Sequence, residues 1–279
     1  MNTVKLNNGI EMPQMGYGVY QVSPAECERC VSDALSVGYR MIDTAQAYHN
    51  EEGVGNAVRK SGIDRKEIFL VSKIWISNYG YEKAKASIDE SLRRLQTDYI
   101  DLMLLHQPFC DRYGAYRALE DAYKEGKLHA IGVSNFYPDH FIDIASNMEI
   151  VPAVNQVETH VFNQQVEAQR IMEEFGTRIM SWGPFAEGRN GFFTNPILAD
   201  IGHKYGKSVA QVALRWLIQR GVIIIPKSTH VERMRQNIDI FDFSLSDGDM
   251  RTIATLDTGK SLFFNRHDAE TARMFMGWR

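Results

Sequence analysis

The sequence predicts an α/β protein folded as a (β/α)8 barrel, a TIM barrel, with an N-terminal β-hairpin at the barrel bottom. Short apolar runs alternate with longer amphipathic stretches along a chain of 279 residues. The short runs are apolar from end to end, which is typical of parallel strands buried on both faces. Several amphipathic stretches end in glycine, as helices commonly do. Strands and helices that alternate in this way indicate a barrel of parallel strands.

The elements follow in order along the chain. VKLNNGIEM carries an Asn-Gly turn between two extended runs and predicts the hairpin. The predicted barrel strands are residues 15–19, 40–43, 68–73, 100–106, 130–134, 153–156, 179–182 and 222–226. Helical patterns such as YEKAKASIDESLRRL and SVAQVALRWLIQRG connect them, and the eighth helix is expected at 231–241. Since no linker or repeat divides the chain, we expect residues 1–279 to form one domain.

The competing topology is a doubly wound open sheet. That fold would carry a glycine-rich phosphate loop after its first strand, and GYGVYQ does not have the GxGxxG spacing. The sequence therefore favours the barrel.

Composition excludes several classes of partner. The net charge is −4, from 31 basic and 35 acidic residues, so no general basic surface for nucleic acid is expected. Apolar stretches stay shorter than the roughly 18 residues that cross a bilayer. The N-terminus lacks the apolar region of a signal peptide, and three cysteines are too few for a disulfide framework. We therefore expect a cytoplasmic protein without membrane or nucleic-acid partners, and a monomer with at most weak self-association.

The pair Cys27 and Cys30, in CERC, has the spacing of a redox or zinc motif. Zinc would need two further ligands, and the chain has no second cysteine pair. A thioredoxin-type motif would stand at the first turn of a helix, which Pro24 marks here. We expect both cysteines to be structural.

Polar residues stand where the predicted strands end, and the carboxyl ends of barrel strands converge on one face. The strand-end and adjoining residues are Asp43, Tyr48, Lys73, His106, Ser134, Asn135, Gln156, Trp182, Lys227 and Ser228. The tyrosine is suited to donate a proton, since a phenol is protonated at neutral pH. The lysine is expected to lower the pKa of that phenol, the aspartate to hold the lysine charged, and the histidine to polarise an oxygen.

Such a set predicts reduction of a carbonyl group, with Asp43, Tyr48, Lys73 and His106 as the catalytic residues. Hydrolysis and phosphoryl transfer are disfavoured, because neither a nucleophile motif nor a P-loop is present. A metal site built on Asp43 and His106 is the chemical alternative, and it predicts a stoichiometric metal and sensitivity to chelators.

The motifs GYRMIDTAQAYHNEEGVG, SKIW, LLHQP, GVSNF, VNQVE and IPKS resemble the aldo-keto reductases, in order and across the whole chain. The small bacterial members similar to 2,5-diketo-gluconate reductases fit best. The resemblance implies the same four catalytic residues and NADPH (NADP+) as cofactor. It also implies a cofactor site made of Ser134, Asn135, Gln156, Trp182, Gly183, Phe185, Lys227, Ser228, Arg233, Gln236 and Asn237.

The chain departs from the family pattern at two of these positions and at Gln107. Trp182 stands where the family usually has tyrosine, and its larger ring is expected to stack on the nicotinamide. Gly183 replaces a serine, and Gln107 replaces a tryptophan after the catalytic histidine. The expected substrate pocket consists of Tyr20, Trp75 and Phe109, with Phe263 and Phe264 closing over it.

The small-molecule partner is accordingly expected to be a small or sugar-derived carbonyl compound. A regulatory or redox-sensing subunit that binds the cofactor with little turnover is the alternative function, because a fold alone does not settle function.

Overall fold

The computed structural model describes residues 2–279, which form a barrel of parallel strands surrounded by helices. The strands are β1 (Thr3–Lys5), β2 (Glu11–Pro13), β3 (Tyr17–Gly18), β4 (Met41–Asp43), β5 (Phe69–Ile74), β6 (Leu102–Leu105), β7 (Ile131–Ser134), β8 (Val154–Glu158), β9 (Arg178–Trp182) and β10 (Ile223–Ile224). The α-helices are α1 (Pro24–Val37), α2 (Glu51–Lys60), α3 (Tyr81–Leu95), α4 (Arg112–Lys124), α5 (Pro138–Asn147), α6 (Val166–Glu174), α7 (Pro196–Tyr205), α8 (Val209–Gln219), α9 (Val231–Ile238), α10 (Asp247–Ala254) and α11 (Ala269–Gly277).

The sheet closes on itself. Strands β3 to β10 pair in parallel with their sequence neighbours. The first and last are joined because Gly16 N donates to Ile224 O at 2.8 Å and Ile224 N donates to Gln14 O at 3.0 Å. The predicted barrel is therefore confirmed, and the doubly wound alternative is wrong.

The hairpin of β1 and β2 closes one end of the barrel. Its strands are antiparallel, with Val4 opposite Met12. The fully buried Met12 belongs to one core cluster with Met41 and Phe69, which stand at the amino ends of β4 and β5. This end is the barrel bottom, as the sequence predicts.

The two cysteines of CERC lie inside α1, which starts at Pro24 and ends at Gly38 in the left-handed conformation. Both are fully buried, and Cys27 Sγ donates to the backbone oxygen of Asn50 at 3.5 Å. Burial raises the pKa of the Cys27 thiol to about 12. A thiol held in its protonated form inside the core is structural, as expected.

Most strand bounds differ from the predicted ones by one or two residues, and two elements end early for a clear reason. The ladder of β10 ends at Ile224, two residues before Pro226, whose ring nitrogen has no proton to donate. Helix α9 ends at Ile238, because Asp239 leaves the helical region with φ −82° and ψ 65°. Within residues 2–279, none of the helices combines the length and the apolar character that crossing a bilayer requires.

Candidate active site

A buried ion pair joins the ends of two neighbouring strands. Asp43 is the last residue of β4, and Lys73 lies near the end of β5. Lys73 Nζ donates to Asp43 Oδ1 at 2.6 Å and to the backbone oxygen of Thr44 at 2.8 Å. The lysine side chain is 0% exposed and the aspartate 2%. Because two buried charges are stable only when they compensate each other, this pair is a fixed part of the barrel mouth.

Tyr48 lies beside the lysine of this ion pair. It belongs to a short 3-10 helix after β4, which Gln46 anchors by donating to Ser91 Oγ at 3.1 Å. The Tyr48 hydroxyl lies 3.4 Å from Lys73 Nζ. The rings of Tyr48 and His106 have centroids 5.6 Å apart. The four residues proposed from the sequence as catalytic therefore lie together at one site.

The titration behaviour of the site is set mainly by burial. Burial raises the pKa of the Tyr48 phenol well above its usual value, and the Asp43 charge adds to the rise. Burial also lowers the pKa of Lys73, against the attraction of Asp43. Burial, followed by the charges of Lys73 and Arg266, lowers the pKa of His106 well below its usual range. The imidazole is therefore neutral at pH 7, with one N–H to donate.

The expectation that Lys73 lowers the pKa of Tyr48 is wrong for the free protein. Asp43 neutralises the ammonium at 2.6 Å and itself repels a phenolate. The sequence correctly predicts which charged groups lie near Tyr48, but it does not show that burial has the larger effect on the pKa of the phenol.

The metal alternative finds little support in the contacts of Asp43. One carboxylate oxygen accepts from Lys73 and the other from Gln156 Nε2 at 2.8 Å, so both already have protein donors. A group of three residues with metal-ligand atoms within 4.8 Å of one another lies elsewhere, at Asp139, His140 and His267.

The residues expected around a nicotinamide carboxamide line the mouth next to this pair. Ser134 Oγ donates to the Gln156 backbone oxygen at 2.9 Å. Asn135, in the left-handed region with φ 65°, donates through Nδ2 to the His106 backbone oxygen at 3.0 Å. Its Oδ1 accepts from the half-buried Trp182 Nε1 at 2.8 Å, which fixes the indole plane. Hydroxyl, amide and aromatic groups thus converge where a planar amide-bearing ring could bind.

The residues expected at the adenosine phosphate lie after β10. Lys227 and Arg233 are exposed, and within residues 2–279 neither has a carboxylate within 4.0 Å. Ser228 is buried, and its Oγ accepts from His230 N at 3.1 Å at the start of α9. Two unpaired cations beside a helix N-terminus suit a phosphate group.

The remaining expected cofactor residues lie on α9 and after β9. On α9, Gln236 is exposed and Asn237 is buried. After β9, Gly183 has φ 62°, which favours glycine, and Phe185 packs edge-on against Phe192 at 5.8 Å.

Aromatic side chains surround Tyr48 and His106. Tyr20 is 51% exposed, with its ring 5.1 Å from that of Tyr48, and the Trp75 ring lies 5.0 Å from His106. Phe109 stacks at 5.3 Å on Phe275, a residue of α11. The structure thus places two of the three expected pocket residues against Tyr48 and His106, and the third against the C-terminal helix.

The C-terminal segment contributes more to this wall than the sequence predicts. Phe263 packs edge-on against Trp182 at 5.1 Å, and Phe264 lies 5.9 Å from Phe275. Trp278 stacks on Trp75 at 6.3 Å, and its backbone oxygen accepts from Trp75 Nε1 at 3.2 Å.

Sequence reasoning missed Arg266, Phe275 and Trp278. No strand end marks them, and the aromatic content of the tail is the one signal that could have found the last two. A cavity of about 440 Å³ lies beside the site and meets it at Trp75.

Known proteins resemble this chain over nearly its whole length. A model of the aldo/keto reductase family matches residues 11–258. Glyoxal reductase of Bacillus subtilis is 46% identical over 92% of this chain and 93% of its own. An aldo-keto reductase from a Medee basin deep-sea metagenome superposes with a TM-score of 0.93 at 41% identity, covering 95% of this chain and 99% of that one. The Bombyx mori aldo-keto reductase in complex with NADP has a TM-score of 0.90 at 32% identity, with 98% and 96% covered.

Proposed function

The chain belongs to the aldo/keto reductase family and is an NADP-dependent oxidoreductase, and we propose that it reduces small aldehydes and ketones with Tyr48 as the general acid. The observation that carries this proposal is the Tyr48 hydroxyl 3.4 Å from Lys73 Nζ, beside a neutral His106. The similarity to a glyoxal reductase favours small or sugar-derived carbonyl compounds, of which 1,2-dicarbonyls are the first to test.

The residues present fit NADPH. Asn135 and Trp182 offer amide groups and an aromatic ring beside the ion pair. Lys227 and Arg233 offer unpaired charge for the extra phosphate that NADPH carries and NADH lacks. When bound, NADPH supplies the hydride that adds to the carbonyl carbon.

Tyr48 supplies the matching proton to the carbonyl oxygen. Its high pKa keeps the phenol protonated until the oxygen gains negative charge, and an alkoxide is a stronger base than a phenolate. The phenolate left behind faces the Lys73 ammonium, which Asp43 and Thr44 hold in place. His106 donates its one N–H to the same oxygen and orients the substrate.

Replacement of Tyr48 by phenylalanine tests the assignment. Tyr48→Phe should fold and bind NADPH as the wild type does, because the ring is kept. Its turnover of glyoxal should fall by about 10² to 10⁴, the usual contribution of general-acid catalysis. Tyr99→Phe is the matched control, since that ring stacks on His129, outside the proposed active site, and its hydroxyl should matter little.

Turnover is measured from the rate of NADPH oxidation, and cofactor affinity is measured from the quenching of protein fluorescence. Near-normal turnover in Tyr48→Phe would refute the acid role, and loss of NADPH binding would make Tyr48 a cofactor residue. Tight NADPH binding without oxidation across a panel of aldehydes and diketones would instead favour a regulatory subunit.

A further inference from the structure

Arg266 is a buried cation in the segment that precedes α11. It is 4% exposed. Its guanidinium carbon lies between 5.6 and 6.0 Å from the ring centroids of four aromatic residues, Tyr137, Trp182, Phe264 and Phe275. Aromatic faces attract a cation, but more weakly than a carboxylate does.

This guanidinium has few polar partners, and the Tyr137 hydroxyl is one of them. Arg266 Nε donates to Gln107 Oε1 at 3.1 Å, while Nη1 is buried without a hydrogen-bond partner. Across residues 2–279, no carboxylate lies within 4.0 Å of the group. The buried Glu158 directs its oxygens to His160, Ser261 and the Leu262 amide instead. A guanidinium remains protonated in proteins. The Glu158 charge attracts it from beyond contact distance, but no carboxylate touches it, so a bound anion would stabilise this buried charge.

The charge lies next to the reacting groups. Gln107, its hydrogen-bond partner, follows His106 directly in the chain. Trp182, one of the four rings, is hydrogen-bonded to Asn135 in the expected nicotinamide site. The Arg266 charge also contributes, after burial and Lys73, to the low pKa of His106. These three relations place the guanidinium beside the proposed active site rather than at a distant surface.

We infer that Arg266 binds an anionic group of the substrate, so that the enzyme prefers carbonyl compounds that carry a carboxylate. This inference rests on the proposed function. Gln107 orients the guanidinium through Nε, and Nη1 has no hydrogen-bond partner, so the group keeps a donor for a carboxylate. Phe264, one of the rings over the group, is 37% exposed, so the guanidinium lies one side chain below solvent.

Matched pairs of substrates test the inference in the wild type, without any variant. The pairs are 3- and 4-carboxybenzaldehyde, each with its methyl ester, and benzaldehyde serves as the neutral reference. Hydrogen bonds to a charged partner correspond to about 10- to 150-fold in affinity. We therefore expect kcat/KM for the better acid to exceed that of its ester by at least about tenfold, with most of the gain in KM. Raising the salt concentration should narrow the ratio. An ester reduced as efficiently as its acid would overturn the inference.

Variants then assign the effect to Arg266. Arg266→Met keeps much of the length and removes the charge, and should lower kcat/KM for the acid at least about tenfold more than for the ester. Arg266→Lys keeps the charge and should retain part of the selectivity. Equal losses on acid and ester would show a structural role and refute the inference.

Titration with NADPH tests whether Arg266 binds a phosphate of the cofactor instead of a carboxylate of the substrate. If Arg266→Met weakens NADPH binding as much as it weakens acid turnover, the guanidinium serves a cofactor phosphate and the inference is wrong. If the acid preference fails while glyoxal and benzaldehyde are still reduced with NADPH, the proposed function stands and this inference alone falls. Loss of all carbonyl reduction in the wild type would refute the proposed function instead.

Discussion

Lys73→Met should destabilise the protein far more than loss of a surface lysine, because it leaves the Asp43 carboxylate buried without its cationic partner. Asp43 is 2% exposed and loses the partner at 2.6 Å, keeping the Gln156 amide at 2.8 Å. Removing one member of a buried ion pair costs about 3 to 5 kcal/mol of unfolding free energy.

The double variant Asp43→Asn/Lys73→Met removes both charges and should recover most of that loss. Asparagine still accepts from Gln156, so the remaining cost comes from the Thr44 carbonyl that loses its donor and from the asparagine NH2 that faces the methionine, about 1 to 3 kcal/mol in all. The expected coupling between the two sites is therefore at least about 2 kcal/mol. Both variants should be inactive, which separates the stability effect from catalysis.

Urea unfolding followed by circular dichroism measures these differences, with equal m-values as the condition for comparing them. Lys204→Met is the matched control: its Nζ lies 2.7 Å from Asp249, but the lysine is 59% exposed. That change should cost less than about 1 kcal/mol. A Lys73→Met protein within about 1 kcal/mol of wild type, or a double variant no more stable than the single one, would refute the reasoning.

Three further outcomes are expected. NADPH should bind at least about tenfold more tightly than NADH in fluorescence titrations. Arg233→Ala should remove most of that advantage, whereas Arg235→Ala on the same helix should not. Equal affinities of the wild type for the two cofactors would contradict this expectation. Burial lowers the pKa of His106, so the unfolded chain takes up a proton at this residue before the folded protein does as pH falls. Between about pH 6.5 and 5.5 the wild type should therefore lose about 1 kcal/mol more unfolding free energy than His106→Gln. Parallel losses in the two proteins would argue against a neutral, buried imidazole. Gly132→Ala should cost about 1 to 3 kcal/mol or more, since an added Cβ would lie 2.3 Å from a backbone oxygen of β8, whereas Gly277→Ala meets open space and should be nearly neutral in thermal melts.

The strand ends explain why the sequence predicted so much of the site. Uniformly apolar runs mark buried parallel strands, and the first polar residue after each run must lie at the mouth where the strands converge. Asp43, Lys73 and His106 were found in this way, without knowledge of any distance. The cofactor positions followed from the family resemblance rather than from periodicity, and their roles stay predictions.

What the sequence could not predict depends on burial and on long-range packing. The pKa of Tyr48 moves opposite to the expected direction because desolvation outweighs a lysine that Asp43 has neutralised. Arg266 and Trp278 reach the site from an irregular tail, where no hydrophobic period shows which residues turn inward. Only the folded packing reveals that this tail forms part of the pocket.

The tail that carries Arg266, Phe275 and Trp278 begins after residue 258, where the match to the family model ends. The four proposed catalytic residues lie on β4 and β5 or directly after β4 and β6, within the matched part. Under the proposed function, exchange of the last twenty or so residues between related chains is expected to alter which substrates are accepted while the four proposed catalytic residues are kept.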